Sequence, residues 1–149
     1  MTQTQLLYAL IAASAGIAVP VLASINAAYG QAIGNVHYAS LTLVFVSTLT
    51  VLAVIVVSGT PMPSAADLKQ VAWWHLTAGC FIAYYVLTIT FVAPRFGVGN
   101  AIIFVVVAQI LTAITIDHFG LLGAAVQEID WKRALGVVFL IAGVALAKS

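Results

Sequence analysis

Long apolar runs separated by short polar breaks set the pattern of this chain. They fall at residues 5–28, 38–58, 71–93, 97–116 and 132–148. The run at 97–116 holds no charged side chain, and at helical rise a segment of that length covers about 30 Å, the thickness of a bilayer's hydrocarbon core. A helix on a soluble domain needs one face for solvent, and this run has none to offer. The breaks carry their own signals. Gly30, Gly34 and Asn35 mark a turn between Tyr29 and Tyr38, placed as interfacial aromatics. Residues 59–64 contain two prolines, and the first charges, Asp67 and Lys69, follow. Trp73 and Trp74 open the third run at headgroup depth, and Pro94-Arg95 is expected to close it. The fourth run is expected to end at a polar turn, residues 117–120. The fifth has an apolar core of only residues 134–147, which reaches across if Trp131, Lys132, Arg133 and Lys148 extend to the interfaces. The pattern predicts an all-α integral membrane protein, with residues 1–149 forming a single domain of five transmembrane helices.

Composition agrees with that reading. Of 149 residues, 64% are hydrophobic and 6% charged, and the mean hydropathy is +1.18. A soluble domain has about a quarter of its residues charged. No Asp, Glu, Lys or Arg occurs before Asp67, and no basic patch exists for nucleic acid. The single Cys80 supports neither a disulfide framework nor a zinc site, so no metal or cofactor is expected. Residues 1–5 lack the positive region of a signal peptide, so the first run is expected to stay in the protein.

With five spans the termini lie on opposite sides. Lys69, Lys132 and Arg133 then share the side of the N-terminus, and Arg95 and Lys148 the other. Orientation follows Lys and Arg bias in short loops, and a difference of one is almost no bias. Two readings follow. In one, the chain inserts both ways and two copies form an antiparallel homodimer, a ten-helix assembly with the inverted-repeat symmetry of many secondary transporters. In the other, Lys132 and Arg133 fix a single orientation. The first is the working expectation.

At about 100° per residue, Ala9, Ala13, Gly16, Pro20, Ser24 and Ala27 form a seam on the first span, with Asn26 off it. Small residues let helices approach closely in lipid, and Pro20 is a candidate kink or hinge. Gly136 and Gly143 share a face of the last span and are candidates for helix packing in the dimer. On the third span Trp73, Thr77, Cys80, Tyr84 and Thr88 form a polar stripe, with Arg95 at its end. The Tyr84 phenol needs a partner if buried, and Gln109 of the fourth span or the Ser47-Thr48 pair of the second are candidates. The stripe is read either as hydrogen-bonded glue between helices or as the lining of a cavity. The tryptophans serve first as interfacial anchors.

Several stretches carry a family resemblance. They are Gly16 to Gly34 with Pro20 and Ser24-Ile25-Asn26-Ala27; Val92-Ala93-Pro94-Arg95-Phe96-Gly97; and Gln109 to Gly123 with Asp117-His118-Phe119-Gly120-Leu121, followed by Trp131-Lys132-Arg133. Together they resemble the YdcZ-type inner-membrane exporters of bacteria, a branch of the drug/metabolite transporter superfamily, over essentially the whole chain. The resemblance implies a five-helix half-transporter acting as a dimer, or as half of a fused pair, in a bacterial inner (cytoplasmic) membrane. One departure bears on mechanism. Small multidrug pumps of the same superfamily depend on a glutamate embedded in the first helix, and here no carboxylate lies at mid-depth in any span. Asp117 and His118 sit at the end of the fourth run, and His75 at the start of the third.

The resulting expectation is a small-molecule exporter working by alternating access through a cavity at the dimer centre. Tyr84, Gln109, Asn26, Ser24, Thr88 and Trp73 are the candidate cavity residues, with Pro20 as hinge and Arg95 and Asp117 as possible charged contacts. Its partners are a small-molecule substrate, either a neutral or zwitterionic metabolite or an amphipathic anion near Arg95, together with membrane lipid and a second copy. The alternative is a non-transporting membrane scaffold or accessory subunit. An intramembrane enzyme has no nucleophile-base pair or metal-ligand set to work with.

Overall fold

The computed structural model describes residues 2–147, so Lys148, counted above among the basic residues, lies outside the described residues. All regular structure there is helical. Helix α1 (Gln3–Ala32) starts at a capping box, with Gln5 N donating to Thr2 Oγ1 and Thr2 N to Gln5 Oε1. It ends where Gly34 turns into a left-handed φ of 67° and Asn35 accepts from the His37 and Tyr38 amides to start α2 (Val36–Ser58). Gly59, also left-handed, stops α2. A short α3 (Ala65–Lys69) stands in the polar segment that follows. A 3₁₀ turn (Trp73–Thr77) then leads into α4 (Ala78–Phe96), followed by α5 (Val98–Phe119) and α6 (Trp131–Ala147).

Four segments are long and apolar enough to cross a membrane: Gln3–Ala32, Val36–Ser58, Trp73–Phe96 and Val98–Phe119. Helix α6, with 17 residues, is shorter than these. Two boundaries differ from the sequence reading. Helix α4 does not stop at Pro94 but carries it in its last turn and ends at Gly97, whose φ is 89°. A proline near a helix end forfeits only the bond to the carbonyl four residues back, here Thr90, so the helix runs through it. Helix α5 likewise continues through Asp117 and His118, and the turn begins at Gly120, left-handed at φ 60°.

The chain forms two compact units, residues 1–98 and 99–149. In the first, α1, α2 and α4 pack pairwise as an up-down-up bundle. Its buried residues are few and small: Ala23, Asn26, Ala27 and Gly30 on α1, Ala39 and Ser40 on α2, and Val86, Ile89, Thr90 and Ala93 on α4. Lipid is as apolar as leucine, so helices associate through close backbone approach rather than exclusion of water. Gly30 shows how close: a Cβ there would lie 3.3 Å from Thr90 Cγ2 and 3.5 Å from Ala39 Cβ. The packed face therefore differs from the expected seam. Of that seam only Ala27 is buried, Gly16 has open space around it, and Asn26 lies inside the packed face rather than off it.

In the second unit the segment after α5 is tied back to its end. Gln127 N donates to the Asp117 carbonyl at 2.9 Å, Arg133 Nη2 donates to Gln127 Oε1 at 2.7 Å, and Arg133 Nη1 stands 3.9 Å from Asp117 Oδ2. Ile129 N donates to His118 Nδ1 at 3.3 Å.

Candidate functional site

Polar side chains in the spans are mostly quieted by their own helix. On α2, Thr42, Ser47, Thr48 and Thr50 each donate to the carbonyl four residues back, as Ser24 does on α1 to the Pro20 carbonyl at 2.8 Å. Such bonds satisfy a hydroxyl where lipid offers no partner. Departures from this rule mark where other chemistry is placed.

The first is a buried pair. Asn26 Nδ2 donates to Thr90 Oγ1 at 2.5 Å, and Thr90 Oγ1 donates to the Val86 carbonyl at 2.7 Å. The second is the end of the bundle where the α1–α2 turn meets the last turn of α4. There Arg95 lays its guanidinium over the Phe91 ring, 3.8 Å from the centroid, and donates from Nη1 to the Phe91 carbonyl at 2.6 Å. A pocket of about 490 Å³ opens beside it, with Asn35, His37, Thr88 and Phe91 in its wall. A second, of about 350 Å³, also has Arg95 in its wall, with Gln31, Gly34, Thr90 and Pro94. Among the described residues no carboxylate pairs with Arg95.

Two further departures are buried hydroxyls with no partner among the described residues, Ser40 Oγ and Tyr85 Oη. Tyr85 lies with Ser47 and Thr48 in a third pocket, of about 410 Å³. The tyrosine next to that pair is thus Tyr85 and not Tyr84.

The sequence candidates are scattered over these features. Thr88 and Arg95 line one pocket. Asn26 is committed to Thr90, and Ser24 is exposed and bonded to its own helix. Pro20 is half-buried within α1. Tyr84 is 71% exposed and Trp73 79% exposed, on the outside of the bundle. Trp73 also precedes α4 proper, in the 3₁₀ turn, which breaks the expected stripe at its start. In the second unit Gln109 is exposed, Asp117 is engaged with Arg133, and Gly136 and Gly143 have nothing within 4 Å of a Cβ position. Asn35, His37, Ser40, Tyr85 and Thr90 were not anticipated. The spacing of Tyr85, Ile89 and Ala93, one residue per turn, could have placed Tyr85 on the inner face.

The family model described as "Putative inner membrane exporter, YdcZ" matches residues 7–146. The chain belongs to this family. No curated protein and no solved structure matches it. Membership in the YdcZ family makes the chain a multi-pass inner-membrane transporter and not an enzyme.

Proposed function

We propose that the chain exports a small metabolite or amphipathic compound by alternating access, as an antiparallel homodimer with five spans per chain and its cavity at the dimer centre. The observation that carries this reading is the polar end of the α1–α2–α4 bundle, where Arg95, His37, Asn35 and Thr88 border open volume in otherwise apolar spanning helices. The fifth span is α6, with Trp131 and Lys132 at its start and the Lys132 ammonium 5.8 Å from the Trp131 ring centroid, the pairing of an interfacial anchor. Tyr84 and Trp73 are exposed on the outside of the bundle in one chain, and a second copy supplies the face that turns them into cavity lining along with Gln109, while Asn26 stays committed to Thr90 inside the bundle. Gly136 and Gly143, open on α6, serve the contact between copies. Pro20 allows α1 to bend between states.

Purified protein in liposomes, assayed for passage of a panel of labelled organic anions, zwitterions and neutral solutes, tests the function. Passage above empty liposomes supports it, and none across the panel would overturn it. Tyr84→Phe and Gln109→Ala test the cavity. If both transport as wild type does, neither residue belongs to it. A non-transporting scaffold is not favoured by membership in an exporter family.

A further inference from the structure

The segment after α5 folds back onto the end of that helix and is held there against its own backbone preference. Gly120, Leu122 and Gly123 all have left-handed φ, of 60°, 58° and 84°. Leu122 thus carries an ordinary side chain in a region suited to glycine, and such a conformation persists only where its surroundings enforce it. The segment also sits down tightly, since a Cβ on Gly120 would come within 2.7 Å of Val126 Cγ2.

Three ties enforce this fold-back. Gln127 N donates to the Asp117 carbonyl, Arg133 joins Gln127 Oε1 to the Asp117 carboxylate, and Ile129 N donates to His118 Nδ1. Ile129 directly precedes Asp130, whose carboxylate accepts from Arg133 N at 2.8 Å as α6 begins, so the His118 tie also fixes the start of α6.

The His118 tie differs from the others in its chemistry. A backbone amide can only donate, so Nδ1 must be the bare nitrogen of a neutral ring whose proton is on Nε2. A proton arriving on Nδ1 sets one donor against another, and the bond is lost. The charged residues of this unit, among those described, are Asp117 beside His118 on α5, Glu128 and Asp130 in the returning segment, and Lys132 and Arg133 on α6. Carboxylates and basic side chains ordinarily titrate outside the range of about pH 5–8, and histidine inside it.

We propose that the α5–α6 junction is a proton-operated latch: neutral His118 holds residues 121–130 on the end of α5, and protonation of its Nδ1 releases them and frees the start of α6. Because the bond exists only while Nδ1 is bare, the latch is closed above the histidine's titration and opens as the pH falls through it. Relief of the left-handed backbone at Leu122 favours the same change. In a chain with no carboxylate at mid-depth in its spans, the latch gives protons a place to act on the helices. It is read from the junction alone and stands or falls independently of the exporter reading.

The test uses the full chain in phosphatidylcholine nanodiscs, with a nitroxide attached through Ala125→Cys in a Cys80→Ser background. Its mobility is followed from about pH 8 to about pH 5, and nitrogen NMR of labelled histidine follows the His118 ring over the same range. The wild-type segment is expected to be held at the upper pH and mobile at the lower, with the held-to-mobile ratio falling by about fivefold or more, the worth of one hydrogen bond. The midpoint coincides with that of the His118 ring. His118→Gln, which cannot gain a proton there, abolishes the step whichever state it leaves the segment in. Gly120→Ala, opposed by both its left-handed φ and Val126, leaves the segment mobile at both ends of the range and defines the open state. Mobility that does not change with pH, a step that survives His118→Gln, or a midpoint unrelated to the His118 ring would overturn the inference.

Discussion

Asn26 on α1 and Thr90 on α4 form a buried side-chain hydrogen bond between spanning helices, 2.5 Å long, and the Thr90 hydroxyl in turn donates to the Val86 carbonyl. The two partners are not equivalent. Removing Asn26 leaves Thr90 still bonded to its helix, whereas removing the Thr90 hydroxyl leaves an amide buried with no acceptor. Thr90→Val is therefore expected to cost about 1–3 kcal/mol and more than Asn26→Ala, and their coupling in a double-mutant cycle to be about 1 kcal/mol, as for hydrogen bonds between helices in lipid. Unfolding from mixed micelles by a denaturing detergent measures both. Equal costs would mean that Asn26 finds another acceptor.

Gly30 sits where three helices meet, and its packing sets a graded expectation. A methyl group at 3.3 Å from Thr90 Cγ2 needs a shift of a few tenths of an ångström. Gly30→Ala gains helix propensity of about 1 kcal/mol against that crowding, so its net effect is small. Gly30→Val adds branches that must push α4 or α2 away and costs about 1–3 kcal/mol. The same unfolding titration separates them, and Gly30→Val as stable as wild type would show that the three helices can spread without loss.

Outside the membrane, Asp67 accepts from Ser64 Oγ at 2.7 Å and from Ser64 N at 2.9 Å. These bonds, the side-chain one first, favour the carboxylate and hold its pKa below the ordinary value. A depressed folded pKa stabilises α3 above the unfolded value and loses that contribution as the pH falls through the folded one. An NMR titration of Asp67 is expected to give a midpoint below about 3.9, the unperturbed value. Ser64→Ala returns it toward that value. An unchanged midpoint in the variant would remove Ser64 as the cause.

The helices were legible in the sequence because apolar length alone specifies a span, and the glycines and Asn35 mark the turns. Their inner faces were not. On a soluble helix the hydrophobic side is the buried side, but here Leu6, Ile17 and Val57 are exposed and the packed face holds Ala23, Asn26, Ala27 and Gly30. Polarity does not mark the packed face either. The stripe through Tyr84 drew attention to one side of α4, while Val86, Ile89, Thr90 and Ala93, small or β-branched and less conspicuous, carry its packing. Arg95 and Thr88 were recognised as candidates, yet their neighbours Asn35 and His37 come from a turn whose return to α4 only the fold reveals.

Orientation gives the last prediction. In the five-span topology the N-terminal side carries Lys69, Lys132 and Arg133 and the other side Arg95 and Lys148, three against two. Dual insertion requires that bias to be close to zero. Fused to the C-terminus, a phosphatase active only outside the cytoplasm and a fluorescent protein bright only inside it are both expected to report for the wild type. Arg95→Gln changes the count to three against one and is expected to drive the N-terminus inward and the C-terminus outward, so the fluorescent fusion dims and the phosphatase rises. Lys69→Gln brings the count to two against two and leaves both signals present. Because the loop charges act during insertion, these shifts are independent of whether Arg95 later binds substrate. A wild type that reports from one side alone would end the antiparallel dimer.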